Sequence, residues 1–190
     1  HREAFPRSPF VEMINIDDHT TYQIVNDRTG LAPDGSPPLD TSVMKRSDAA
    51  YPRVGLTRHP AKDVHEATHV IVVGAELEGW VGRVSAPLVR ICALTRLTLL
   101  QIFTGVSTPR ILAMVVNSWV GVFLYRRDLL CLFVEVFAYY SEFSASPDAR
   151  DDIKLDSPIT LSQQMKNELL SACLLGFLSF TDLRASHCPK

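Results

Sequence analysis

The chain has 190 residues, of which 46% are hydrophobic and 21% charged, with a formal net charge of -2. That size suits one ordinary domain or two small ones, and the composition excludes a disordered chain. The charge excludes a protein that binds nucleic acid through overall basicity, so any such contact must come from a local basic face.

The opening His1-Arg2-Glu3-Ala4 carries neither an initiator Met nor an apolar signal core, which implies a piece of a longer protein. Phe10 to Ile14 and Thr20 to Val25 are dense in β-branched and aromatic residues and predict two strands. Between them, Asn15-Ile16-Asp17-Asp18-His19 supplies turn chemistry, so a tight hairpin with two acids at its tip is expected. Asn26 to Val43, with Gly30, Pro33, Gly35, Pro37 and Pro38, reads as a loop. Met44 to Val54 reads as a short helix. His69 to Val73 predicts a buried strand, and Gly74 to Gly82 a second hairpin turning near Gly79.

From residue 84 the texture becomes Leu-rich and helical, which divides the chain into a region 1–83 and a region 84–190. Ser85 is the expected cap of a helix with Pro87 in its first turn. Its apolar stripe is Leu88, Ile91, Cys92, Thr95, Leu99 and Ile102, and Gly105 ends it. Thr108 and Pro109 open a second helix that runs to about Leu124. Tyr125-Arg126-Arg127-Asp128 interrupts the pattern ahead of a third helix reaching Tyr140, and Ser141 to Pro158 reads as a polar linker. Thr160 and Gln163 have capping-box spacing for a fourth helix. Leu161, Met165, Leu169, Ala172, Cys173 and Gly176 form its buried face. The predicted fold is α+β, antiparallel hairpins followed by a helical bundle.

The longest uncharged stretch, Ile111 to Tyr125, is shorter than the ~20 residues a membrane-spanning helix needs, so no membrane contact is expected. Cys92, Cys131, Cys173 and Cys188 are too scattered for a zinc knuckle or redox pair. A reducing intracellular compartment, cytoplasm or nucleus, follows as the expectation.

Adjacent aspartates on a hairpin tip suit hard divalent cations. Two Mg²⁺ ions ~3.5–4 Å apart can activate a 3′-hydroxyl and stabilise the leaving pyrophosphate. Asn15-Ile16-Asp17-Asp18 resembles the Tyr-x-Asp-Asp motif of reverse transcriptases, with Asn15 at the Tyr position. Downstream, Ala50 to Leu56 followed by Pro60-Ala61-Lys62 is similar to the next element of the polymerase palm. Val72 to Gly79 is similar to the primer grip, and Gly82 to Arg90 to the start of the thumb. Val116 to Val120 with Tyr125-Arg126-Arg127 resembles the thumb helix of retrotransposon polymerases, with Asn117 where Gly is usual.

The resemblance covers about residues 10–183. It implies the end of the palm plus a thumb of an RNA-directed DNA polymerase, upstream of a ribonuclease H domain. By the same resemblance Asp17 and Asp18 are the catalytic, Mg²⁺-binding acids, and Lys62 sits near the triphosphate of the incoming dNTP. Val73 and Gly74 would hold the primer end. Arg83, Arg90 and Arg126 would face phosphates of the RNA/DNA template–primer duplex. The family takes a further acid from an earlier strand, and only 14 residues precede Asn15. The chain by itself is therefore expected to extend no primer.

A rival motif is His65-Glu66-Ala67-Thr68-His69, which fits His-Glu-x-x-His. On a helix the two histidines would share a face and hold zinc, and Glu66 would activate a bound water, as in a metallopeptidase. The β-type run Val70-Ile71-Val72-Val73 follows, however, and no His comes until His187, so no zinc is expected. A third reading is a decayed element that only folds, or only binds nucleic acid.

Overall fold

The structure, a computed structural model, describes residues 10–15, 18–23, 25, 28–32, 34–55, 64, 66–146 and 151–183. Two compact units form, one within residues 1–67 and one within Thr68–Ala185. Both helices and antiparallel sheets are present, so the fold is α+β as predicted.

In the first unit, strands β1 (Phe10–Asn15) and β2 (Asp18–Gln23) pair antiparallel, with Phe10 opposite Gln23 and Asn15 opposite Asp18. The expected hairpin forms, with only positions 16 and 17 between its strands. Helix α1 (Leu39–Ala50) begins inside the stretch expected to be loop. Its start is fixed by a side chain far away in sequence: Oε1 of Gln23 accepts from the Leu39 and Asp40 N–H groups at 2.6 and 2.9 Å. Those are two of the donors that a helix start leaves unsatisfied. A cap from another strand leaves no local signature, which is why the start was not legible. A 3-10 turn, Pro52–Val54, follows α1.

The second unit pairs four antiparallel strands in the order β3 (His69–Val72), β4 (Ala75–Glu78), β5 (Arg83–Ser85) and β8 (Phe180–Asp182). Between β5 and β8 come helices α2 (Leu88–Thr104), α3 (Pro109–Phe123), α4 (Val134–Ala145), the one-turn α5 (Asp152–Leu155) and α6 (Gln163–Leu175). Strands β6 (Val106–Ser107) and β7 (Ile159–Thr160) form a short ladder among them. The unit starts at Thr68, upstream of the change in texture at residue 84, because β8 returns after α6 to pair with β5, Arg83 opposite Asp182. β3 is not the buried strand expected. It lies at the sheet edge, and Ile71 is 58% exposed.

The core is centred on α3. Thr108 caps it by accepting from the Ile111 N–H at 3.2 Å, and Pro109 takes its first position. Leu112, Val115, Val116, Trp119, Val122 and Phe123, at helical spacing, are all buried. Trp119 stacks on Phe123 with centroids 5.7 Å apart, and Phe123 meets Phe133. The face read on α6 is buried as expected: Leu161, Met165, Leu169, Ala172, Cys173 and Gly176.

Helix α2 departs from expectation. Its buried positions are Ile91, Leu94, Thr98 and Gln101, while Leu88 and Cys92 are exposed. The face is rotated because Thr98 is a core residue: its hydroxyl accepts from Trp119 Nε1 at 2.9 Å and donates to the Leu94 carbonyl at 2.8 Å. The expected stripe put Thr95 rather than Thr98 on the inner face, and hydropathy does not single out a threonine that is satisfied this way. Nor does Ser85 cap α2. It belongs to β5, and Oε2 of Glu76 accepts from the Leu88 N–H instead, at 3.0 Å. The cap of α6 is Ser162 rather than Thr160, its hydroxyl accepting from Met165 N–H. The polar linker after Tyr140 is partly helical, since α4 continues to Ala145 and α5 follows.

Candidate functional site

Asp18 opens β2 opposite Asn15, at the closed end of the first hairpin. Asp17, Lys62 and His65 lie outside the described residues. Among the described residues no group of three or more His, Cys, Asp or Glu side chains is placed to hold a metal ion.

Val73 and Gly74 form the two-residue connection between β3 and β4, with φ of +49° and +75°. Two positive φ values in succession give the turn whose twist matches a hairpin, and glycine takes the second without strain. Val73 is β-branched and disfavours that region, a cost of about 1–3 kcal/mol. The Arg90 guanidinium lies beside this turn: Nη1 is 3.8 Å from where a Cβ on Gly74 would stand, and Nη2 3.4 Å from the same position on Gly121. Burial pushes the Tyr125 phenol up, while the nearby Arg90 charge pulls it the other way. Among the described residues no carboxylate pairs with Arg90.

The other two candidate phosphate ligands are differently placed. Arg126 Nε is 3.6 Å from Oδ2 of Asp128. Arg83 Nε is 2.8 Å from Oε2 of Glu78, and its Cζ stands 5.5 Å from the Phe180 ring centre. The Arg83 Nε is nonetheless buried without a hydrogen bond among the described residues, so its N–H is not aimed at that carboxylate oxygen. The contact with Glu78 is electrostatic rather than a forked pair.

Strand register explains these neighbours. His69, Glu78, Arg83 and Asp182 stand directly opposite one another across the four strands, a ladder of cationic and anionic residue types on one sheet face. Ile71, Glu76, Ser85 and Phe180 form the next rung. Nε2 of His69 lies diagonally 2.9 Å from Oε1 of Glu76. That contact first, and the Leu88 N–H second, hold the Glu76 carboxyl below the usual glutamate range. Between this face and the start of α2 a cavity of about 110 Å³ opens, with Glu76, Glu78, Arg83 and Ser85 on its polar side and Ile91 and Phe180 among its apolar walls. Sequence reading gave Glu76 and Glu78 no site role and took Ser85 for a helix cap. The alternation Glu76-Leu77-Glu78 was the available signal, since it puts both acids on one face of a strand.

A zinc site of the His-Glu-x-x-His kind needs its ligands on one helix face. Glu66 instead has a positive φ of 52°, and His69 begins a strand with its ring engaged by Glu76. Among the described residues no helix is long and apolar enough to cross a membrane. Comparison with known proteins finds no matching family model, no similar curated protein and no similar solved structure.

Proposed function

We propose that this chain is part of an RNA-directed DNA polymerase of a retroelement. It would contribute the metal-binding acid pair on one hairpin and a helical region that grips the template–primer duplex. The observation that supports the reading is the register of β1 on β2. It opposes Asn15 to Asp18, so Asp18 stands at the closed end of a two-stranded antiparallel hairpin, with Asp17 its neighbour in sequence. Adjacent carboxylates there are the donor type Mg²⁺ prefers. Asp17 and Asp18 would hold the metal together with an acid from a separate strand. Bound Mg²⁺ would stabilise charge on the attacking and leaving oxygens. On the duplex side, Arg90 is the best-placed of the three candidate arginines, because Arg83 and Arg126 already have carboxylate neighbours.

Primer extension tests the reading. In a polymerase that contains this chain, Asp17→Asn or Asp18→Asn is expected to reduce Mg²⁺-dependent dNTP incorporation to background, while the isolated chain incorporates none. Incorporation indifferent to both substitutions would overturn the assignment. The grip is tested separately, by titrating a labelled RNA–DNA duplex at several salt concentrations. Neutralising two or three phosphates gives a slope of log affinity on log salt of about -2 to -3. Arg90→Ala should flatten it by about one unit. Duplex binding without any incorporation in the complete polymerase would favour a decayed element that only binds nucleic acid.

A further inference from the structure

We propose that α2 carries a docking face for an acidic amphipathic helix of a partner protein. The face lies wholly within the second compact unit and does not depend on the polymerase reading. Helix α2 has two stripes. Ile91, Leu94, Thr98 and Gln101 are buried and join it to the core. On the other side Val89, Ala93, Arg96, Leu100 and Phe103 all point to solvent, and their gaps of 4, 3, 4 and 3 residues are those of a coiled-coil seam. A helix needs only one apolar stripe to pack on its own core. Val89 is 82%, Leu100 59% and Phe103 85% exposed, so nothing among the described residues covers the seam. Helix α6 runs antiparallel beside α2: Cys173 Sγ is 4.0 Å from the Thr95 carbonyl oxygen, and Lys166 lies beside Gly105. Exposed Leu174 on α6, and Phe177 just after it, extend the apolar surface.

Area and charge name the occupant. Covering Val89, Leu100, Phe103, Leu174 and Phe177 would remove roughly 600 Å² from water, most of the ~800 Å² that each partner brings to a standard-size interface. Arg96 stands at the midpoint of the seam, and α2 contains no acidic residue. Among the described residues neither Arg96 nor Lys166 has a carboxylate partner. These charges disfavour a second copy. Seam on seam, whether parallel in register or antiparallel about a two-fold axis, sets Arg96 against Arg96 of the other copy, with no acid on either α2 to offset the repulsion. A polar residue within a seam instead selects the partner and register that satisfy it, and Arg96 calls for a Glu or Asp at the facing position. Two cations are few for an anionic bilayer, whereas the surface along two antiparallel helices fits a third. Arg90 lies on a different side of α2, beside Gly74 and Gly121, so the seam is separate from the proposed duplex contact.

The test titrates the full chain into a labelled three-heptad peptide and follows fluorescence anisotropy. The peptide has Leu at its first and fourth heptad positions, except for one central Glu, and Glu at the flanking positions. A second peptide carries Lys wherever the first has Glu. Saturable binding of the acidic peptide with Kd on the order of 10 μM is expected, and no saturation by the basic one. Leu100→Ala and Phe103→Ala, both at exposed positions, should each weaken binding by about tenfold. Arg96→Glu should reverse the preference between the two peptides, which a merely structural role for Arg96 would not do. No saturable binding, equal binding of both peptides, or unchanged affinity in the two alanine variants would overturn the proposal. Sedimentation showing a dimer that Phe103→Ala dissociates would give the seam to a second copy instead. Phe103-dependent binding to phosphatidylcholine–phosphatidylserine vesicles, without peptide binding, would give it to a membrane surface, and either result overturns the proposal.

Discussion

Gly176 shows how much a single position depends on what faces it. A Cβ built there would stand 2.4 Å from Cζ3 of Trp119. The indole cannot retreat, because it stacks on Phe123 and donates to Thr98. Gly176→Ala should therefore destabilise the second unit by about 1–3 kcal/mol, as over-packing does. The melting temperature should fall roughly 4 °C per kcal/mol for a unit of this size. Calorimetry giving an unchanged transition would show that the ring has room to move. The sequence placed Gly176 on the buried face of α6 by spacing alone. Its partner was not legible, because Trp119 and Thr98 meet through tertiary packing that no local pattern encodes. Thr98 and Gln101 were missed for the same reason: both are buried polar residues on a face that apolar periodicity excludes.

At the scale of elements, the first N–H groups of two helices donate to carboxylates elsewhere in the chain. Glu76 on β4 caps α2. Glu168 on α6 accepts from the Glu135 and Val136 N–H groups at 2.8 and 3.1 Å, capping α4. These acids also complement the positive end of the helix dipole. The Glu76 carboxyl titrates below its ordinary value when folded. The folded chain thus binds fewer protons there than the unfolded chain. The stabilisation is complete above the usual glutamate range and is lost as pH falls through it toward the lower folded value. Glu76→Gln should cost about 1 kcal/mol at neutral pH, the usual worth of a cap, and should decline less steeply in acid. Urea midpoints measured from neutral pH down to about 3 check this, and parallel curves for the two proteins would exclude it. The elements with local caps, such as α3 behind Thr108 and Pro109, were legible from sequence. Those capped at a distance, α1 by Gln23 and α2 by Glu76, had misplaced starts. The first hairpin was legible as turn chemistry between two β-rich runs, whereas the cavity residues, assembled from β4, β5, α2 and β8, were not.

For the whole molecule, the second unit is predicted to fold without the first. A fragment spanning residues 68–185 should unfold in one cooperative transition. A fragment ending at residue 179 should lose that cooperativity, because it lacks β8 and leaves β5 as an unpaired edge. If the shorter fragment unfolds as sharply and at the same urea concentration, β8 is an appendage rather than part of the sheet.

The return of β8 also has a consequence for biosynthesis. Strands β3, β4 and β5 leave the ribosome early, but the partner of β5 is not made until translation has passed through all five helices to Phe180. At ~5–20 residues per second, the nascent β5 edge waits on the order of ten seconds for its neighbour. During that interval the other side of the meander is open too, along β3 with its exposed Ile71. The nascent chain therefore offers its β5 edge to any chaperone, or to any other nascent copy on the same polysome, until the three-residue β8 covers it, while β3 remains an edge throughout.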